Sequence, residues 1–313
     1  RQYFFEGELD GKPFNRRQRS IVYQRAKNQK QTISFGMQDE PNRIGYEWAA
    51  HSIYPKKNDF SQFRVTIGNS QCSKPYSASI FNISAMSYGA LSKTAISSLN
   101  EGAKMGNFAH NTGEGGISDY HLKGGDLIWQ IGTGYFGCRD GKGHFNDALF
   151  VEKANLKEVK MIEIKLSQGA KPGHGGLLPA EKNTPEIARI RALEPHTTVH
   201  SPSAHTAFSN ATELLYFIQK LRNLSNGKPV GFKICIGKKE EFTEILEAML
   251  ITNILPDFIT IDGAEGGTGA APLEFIDYMG MALSDALVFA HKSLLDYGLR
   301  SEIKILASGK IIS

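Results

Sequence analysis

Glycine and lysine collect at a few places in this chain where a ligand could be held. Dense glycine or small polar stretches run Ala85-Met-Ser-Tyr-Gly89, Asn111-Thr-Gly-Glu-Gly-Gly116, Gln168-Gly-Ala-Lys-Pro-Gly-His-Gly-Gly176, Asp262-Gly-Ala-Glu-Gly-Gly-Thr-Gly-Ala270 and Ser308-Gly-Lys310. Turns without Cβ atoms let backbone amides close on an anion, so Gly266, Gly267, Ser308 and Gly309 are candidates for a phosphate cradle. Tight turns with no ligand are the bland alternative. Lys165 and Lys233 fall inside apolar runs, where a charged side chain is costly unless it meets a partner. Facing inward, they would aim cations into a binding site; facing outward, they would snorkel at a rim. Lys171, Arg189 and Arg191 follow within 167–202, a segment too long and too rich in Gly, Pro and cations for a plain connection. It reads as a substrate lid, and its cations favour a substrate bearing carboxylates. Glu114, the one acid among the early glycines, either handles a proton, binds an amine or caps a helix. His174, His196, His200 and His205 lack the helical spacing with an intervening acid that a zinc site shows, so hydrogen-bonded loop histidines and no metal are expected.

These residues need a scaffold that gathers five loops at one end. Short apolar runs rich in β-branched residues predict strands at 76–84, 108–111, 127–132, 161–166, 229–235, 257–261 and 303–307. Apolar spacing of three and four predicts helices between them, clearest over Ala211–Leu224 and 282–295. Repeated strand, loop and helix units call for a parallel α/β sheet, and strands buried on both faces explain why IKIL and FITI do not alternate. The first turn, Ser84-Ala-Met-Ser-Tyr-Gly-Ala, lacks the glycine fingerprint of a doubly wound sheet. A (β/α)8 TIM barrel is therefore expected, with its site at the C-terminal ends of the strands. Seven strands leave closure one short, so the last strand and helix are expected beyond Ser313. The barrel would occupy 74–313, with 1–73 an N-terminal segment packed on it or a flexible arm.

Composition narrows the class. Hydrophobic residues at 41% and charged ones at 22% support a buried core, and a net charge of +4 without a concentrated basic face argues against a nucleic-acid partner. Cys72, Cys138 and Cys235 lie far apart, which writes neither a disulfide framework nor a zinc site and points to a reducing, cytoplasmic setting. No apolar run reaches about 18 residues and the start does not resemble a signal peptide. The chain opens on Arg1, so it is expected to continue a longer protein, and a membrane anchor upstream stays open.

In its loops the sequence resembles the FMN-binding synthase domain of glutamate synthase, from about Phe81 to its end. The marks are AMSYGALS at 85–92, NTGEGG at 111–116, EIKLSQGAKPGHGGLLP at 163–179, TPEIARIR at 184–191 and DGAEGGTGAAP at 262–272. YFFE, KPFNRRQRS and VYQRAK near the start are similar to single-polypeptide bacterial members that lack the glutaminase part. The resemblance implies FMN over the barrel mouth and an Fe–S cluster feeding it electrons. It also implies reductive amination of 2-oxoglutarate to glutamate through 2-iminoglutarate, an oxidoreductase reaction of the CH–NH2 class with ammonia and an electron donor as partners. By motif position, Ala85, Met86, Ser87 and Asn111 would contact the flavin ring, Lys233 its pyrimidine edge, and Gly266, Gly267, Ser308 and Gly309 its phosphate. Lys165, Gln168, Lys171 and Arg191 match positions that bind 2-oxoglutarate or the flavin edge, and Glu114 matches the acid near ammonia entry. Glu114, Lys165 and Lys233 are thus the catalytic candidates. Two departures stand out: Leu177 replaces a glutamine of the family, and the family's cluster cysteines follow the eighth strand, so a cluster is expected only in the full-length protein. The alternatives are a flavin oxidoreductase on another carboxylate, or a fragment that binds nothing.

Overall fold

The computed structural model describes residues 14–312 apart from 31–35, 38–39, 47, 56, 58, 60–62, 170, 172–174 and 269–270. His174 and Gly269, singled out above, lie outside the described residues, as does YFFE. Two compact units are present, one of residues 1–59 with 311–313 and one of residues 60–310. The first contains helix α1 (Arg16–Ala26), started by a capping box in which the Asn15 side chain takes the Gln18 amide and the Gln18 side chain takes the Asn15 amide.

The second unit holds a six-stranded parallel sheet curled into a half-barrel. Its strands are β3 (Ala109–Asn111), β4 (Asp126–Ile131), β5 (Val159–Lys165), β8 (Val230–Ile234), β9 (Phe258–Asp262) and β10 (Lys304–Ser308), adjacent in that order. Helix α2 (Lys93–Gly106) precedes β3, and α3 (Asp147–Ala154), α5 (Ala211–Leu224), α6 (Lys239–Thr252) and α8 (Leu283–Asp296) come after β4, β5, β8 and β9. Side chains at Ser92, Asn146 and Asn210 cap the starts of α2, α3 and α5. A short helix α7 (Leu273–Ile276) lies between β9 and α8.

The segment expected as one strand at 76–84 is two things. Its first half is β2 (Tyr76–Ser79), paired antiparallel with β1 (Arg64–Ile67) in a hairpin. Asn82 then turns the chain, donating to the Ser79 carbonyl (2.8 Å) and accepting the Ala109 amide (2.9 Å), after which Ile83 makes a single parallel bridge to His110. The expected boundary near Ser73 falls inside this hairpin, which belongs to the second unit.

Alternation along the strands sorts side chains into two populations. Leu127, Trp129, Ile131, Ile162, Ile164, Phe232, Ile259 and Ile261 join Phe150, Leu214, Phe217 and Ala290 of the helices in the main core. The opposite face of the strands begins apolar, with Ala109, Ile128, Met161 and Phe258 packed on Ile67 and Ala78 of the hairpin. Two residues further along each of those strands come Asn111, Gln130, Glu163 and Thr260, all buried and all polar.

The 167–202 segment carries its own structure. It contains a small antiparallel pair, β6 (Leu177–Leu178) with β7 (Val199–His200), and helix α4 (Pro185–Arg191), capped by Thr184 and opened by a proline at its first turn.

Candidate active site

Parallel register brings the two strand lysines together. Lys165 of β5 pairs directly with Lys233 of β8, so both side chains leave the same face at the C-terminal end of the sheet. Lys165 Nζ donates to Glu114 Oε1 at 2.9 Å and also to Gln168 Oε1. Lys233 is buried, and its nearest carboxylate, Asp262 Oδ1 of β9, stands 3.6 Å away. Asp262 Oδ2 accepts the Gly169 amide (2.8 Å), tying the start of the long segment to β9.

Burial alone would raise the Glu114 carboxyl, but the charges of Lys165, Lys171 and Lys233 and the hydrogen bond from Lys165 outweigh it and hold its pKa below the ordinary value. Glu114 is therefore an ionised acceptor at neutral pH. Burial lowers the Lys171 pKa, opposed by Glu114 and reinforced by Lys165. A Cβ at Gly132 would strike Glu114, and one at Gly176 would come within 4.0 Å of its Oε1, so glycine makes the room this carboxylate occupies.

The segment holding Ala85, Met86 and Ser87 lies against β3. The Met86 amide donates to the Asn111 carbonyl (3.0 Å), and Ser87 packs so closely on Gly113 that a Cβ there would sit 2.9 Å from the Ser87 nitrogen. Buried His121 fixes this segment from behind. Its Nδ1 accepts from Ser118, so its Nε2 carries the proton and donates to the Met86 carbonyl (2.9 Å). His205 does the same for Lys165. Tyr135 accepts the Ala207 amide (3.0 Å) and donates to His205 Nδ1 (3.1 Å), leaving Nε2–H to donate to the Lys165 carbonyl (2.9 Å). Burial lowers the pKa of both histidines, which keeps them neutral in these roles.

Arg191 is also brought to the site, but buried: its guanidinium donates to the Tyr88 carbonyl (3.1 Å) and lies over the Phe136 ring at 5.1 Å. Helix α4 is held on the same loops by Glu186, which accepts from Tyr88 (2.7 Å) and Tyr120 (2.8 Å). On the far side, the Gly263 amide donates to the Ser308 carbonyl (2.9 Å) and Gly309, at φ +121°, lies so close that a Cβ would be 3.3 Å from the Gly263 and Gly266 nitrogens. Among the described residues the amides of Gly267 and Gly309 make no backbone hydrogen bond.

Thus Ala85, Met86, Ser87, Asn111, Glu114, Lys165, Gln168, Lys171 and Lys233 lie in loops or strand ends of one sheet and Arg191 at the end of helix α4, with Gly266 and Gly267 after β9 and Ser308 and Gly309 at the end of β10. Sequence reasoning passed over Glu163, Gln130, Thr260, His121, Tyr135 and Asp262. The signal for the first three was a polar residue two positions after an apolar one inside each strand run. Among the described residues no three His, Cys, Asp or Glu side chains come together as metal ligands, and no helix is long and apolar enough to cross a membrane.

A family profile described as a conserved region in glutamate synthase matches residues 19–313. The chain belongs to the glutamate synthase family. A glutamate synthase large subunit-like protein, YerD, of Bacillus subtilis is 36% identical over 100% of this chain and 67% of its own length. An archaeal glutamate synthase [NADPH] of Methanocaldococcus jannaschii is 33% identical over 87% of this chain and 50% of its own length. The glutamate synthase [NADPH] large chain of Bacillus subtilis is 31% identical over 74% of this chain and only 15% of itself. The chain thus spans from about two thirds of a relative to a small part of one, within a family of glutamate synthase-like oxidoreductases.

Proposed function

We propose that this chain supplies most of the FMN-binding (β/α)8 barrel of a glutamate synthase-like enzyme that reductively aminates 2-oxoglutarate to glutamate. The observation that carries the reading is the pairing of Lys165 with Lys233 at the strand ends, beside an ionised Glu114 and opposite a glycine cradle, in a chain of this family. The residues fit a flavin phosphate: among the described residues the Gly267 and Gly309 amides make no backbone hydrogen bond, and a Cβ at Gly309 would crowd the cradle. They fit the flavin edge as well, because Lys233 is buried with its carboxylate beyond hydrogen-bond distance and so keeps donors for a ligand. When bound, FMN supplies the hydride that reduces 2-iminoglutarate.

The chain's own residues do the rest. Lys165, Gln168, Lys171 and Arg191 orient the dicarboxylate, with the lysines offering charge-assisted hydrogen bonds to its carboxylates. Glu114 accepts an N–H of ammonia or takes its proton as the imine forms, a role that its lowered pKa suits at neutral pH. An Fe–S cluster, held outside the residues of this chain, would supply electrons together with an external donor, and the 167–202 segment would serve as the lid. Purification of the full-length protein checks this directly. A yellow protein that releases FMN on denaturation and makes glutamate from 2-oxoglutarate and ammonia is expected, whereas a colourless one that takes up no added FMN overturns it.

A second reading rests on Leu177, which is 55% exposed beside Gly176 at the Glu114 carboxylate. An apolar side chain there favours a different carboxylate substrate on the same flavin. Tight 2-oxoglutarate binding by calorimetry removes that reading.

A further inference from the structure

Inside the half-barrel, the layer beneath the lysines is built around a charge. The first inward layer, Ala109, Ile128, Met161 and Phe258, is apolar and rests on the hairpin. Two residues on, Asn111, Gln130, Glu163 and Thr260 replace what could have been more aliphatic filling. Glu163 is their centre and is 1% exposed. Its Oε2 accepts from Asn111 Nδ2 (2.8 Å) and from Gln130 Nε2 (2.6 Å), and its Oε1 accepts from Thr260 Oγ1 (2.6 Å). Four strands therefore meet on one carboxylate. Two residues further along the same strand stands Lys165, and Thr260 pairs in register with Lys233.

A buried carboxylate is expensive, and a well-packed aliphatic layer holds a barrel together at less cost. What the carboxylate supplies is fixed direction. Three donors converge on Glu163, so the amide groups of Asn111 and Gln130 are turned with their nitrogens inward and their carbonyl oxygens away from it. Asn111 Oδ1 is thereby aimed at the Gly113 amide (3.0 Å), which anchors the loop carrying Glu114. The Thr112 hydroxyl accepts the Gln130 backbone N–H (3.1 Å) and binds the same loop to β4. One negative charge thus sets the floor under the mouth and the start of the glutamate-bearing loop.

We infer that Glu163 is a positioning residue of the flavin site: it fixes the amides of Asn111 and Gln130 and places a negative charge in the layer two residues before Lys165, the register partner of Lys233. This rests on the FMN reading given above. A fixed anion there disfavours the anionic reduced flavin, so Glu163 offsets the lysines and keeps the reduced cofactor a ready hydride donor.

The test is Glu163→Gln in the full-length protein, with Glu163→Asp beside it. The Gln variant keeps the shape, but it presents an amide nitrogen or a single carbonyl where two amide donors and a hydroxyl now meet a carboxylate. We expect the FMN dissociation constant to rise about tenfold, the flavin midpoint potential to move to more positive values, and Glu163→Asp to keep the wild-type potential. A purely structural role would lower the melting temperature and leave the potential where it is, and that result overturns the inference. If Glu163→Gln does not fold, a Glu163→Asp protein with a shifted potential likewise overturns it. Wild-type protein that takes up no FMN defeats the functional reading and this inference together; wild type that binds FMN with both variants unchanged defeats only the inference.

Discussion

The two sides of the site are made of different materials. On the β3 to β5 side, side chains do the holding: Asn111 is bonded to Glu163, Lys165 is bonded to Glu114 and Gln168, and His121 and His205 brace the backbone behind them. On the β9 to β10 side the backbone does it, through Gly263, Gly266, Gly267 and Gly309. The sheet edges differ likewise. All three residues of β3 are buried under the chain around Ile83, whereas β10 is partly open and its Ala307 is exposed. A side-chain site is sensitive to charge and protonation, because each buried polar group depends on its partner. A backbone site is sensitive to Cβ atoms and indifferent to pH.

Four experiments break or sharpen that contrast. The largest effect is expected from Lys165→Ala, which removes a preorganised cation and leaves Glu114 and Gln168 without their shared donor. Glutamate synthesis by the full-length enzyme should fall by roughly 10² to 10³ in kcat/KM. An unchanged rate would take the chemistry away from the side-chain half.

Acid should strike the same half. Buried His110 has its pKa pushed down to about 4 from 6.5 by burial, reinforced by His121, and His121 and His205 are lowered too. Because the folded state keeps His110 neutral while the unfolded chain protonates it, stability falls as pH drops from 6.5 toward about 4, then levels off for this group. His110 alone accounts for roughly 3 kcal/mol of that loss. Urea titrations at stepped pH measure it, and His110→Gln should flatten the slope whatever it does to stability at neutral pH.

In the backbone half, Gly309→Ala places a Cβ 3.3 Å from two amide nitrogens at a φ of +121°. The strain is worth about 1–3 kcal/mol and should weaken FMN by about 10- to 100-fold in a fluorescence-quenching titration. Gly267→Ala is its counterpart and the smallest effect. Nothing lies within 4 Å of the added Cβ, so stability should stay within about 0.5 kcal/mol and FMN affinity should hold. If both alanines behave alike, the cradle is not where the contrast puts it.

Much of this was legible in the chain itself. Local hydrophobic period located six of the parallel strands and placed helix Ala211–Leu224 to the residue, because those runs are long and one-sided. The run at 76–84 misled because β2 and the first inward segment are both apolar enough to look continuous, and only the Asn82 bonds to Ser79 and Ala109 divide them. Glycine turns and strand lysines flagged the site by type, since glycine tolerance and the cost of burying charge are properties of single residues.

Residue type and spacing alone determined that this is an α/β chain whose glycine turns and strand lysines must gather at one end. Only the tertiary structure decided which groups satisfy one another. Register set Lys165 beside Lys233, and the curl of the sheet brought Asn111, Gln130 and Thr260 onto Glu163 from positions up to 97 residues away. The physical reason is range: propensity and period act within a few residues, whereas a buried charge is satisfied by whatever donors the fold carries to it.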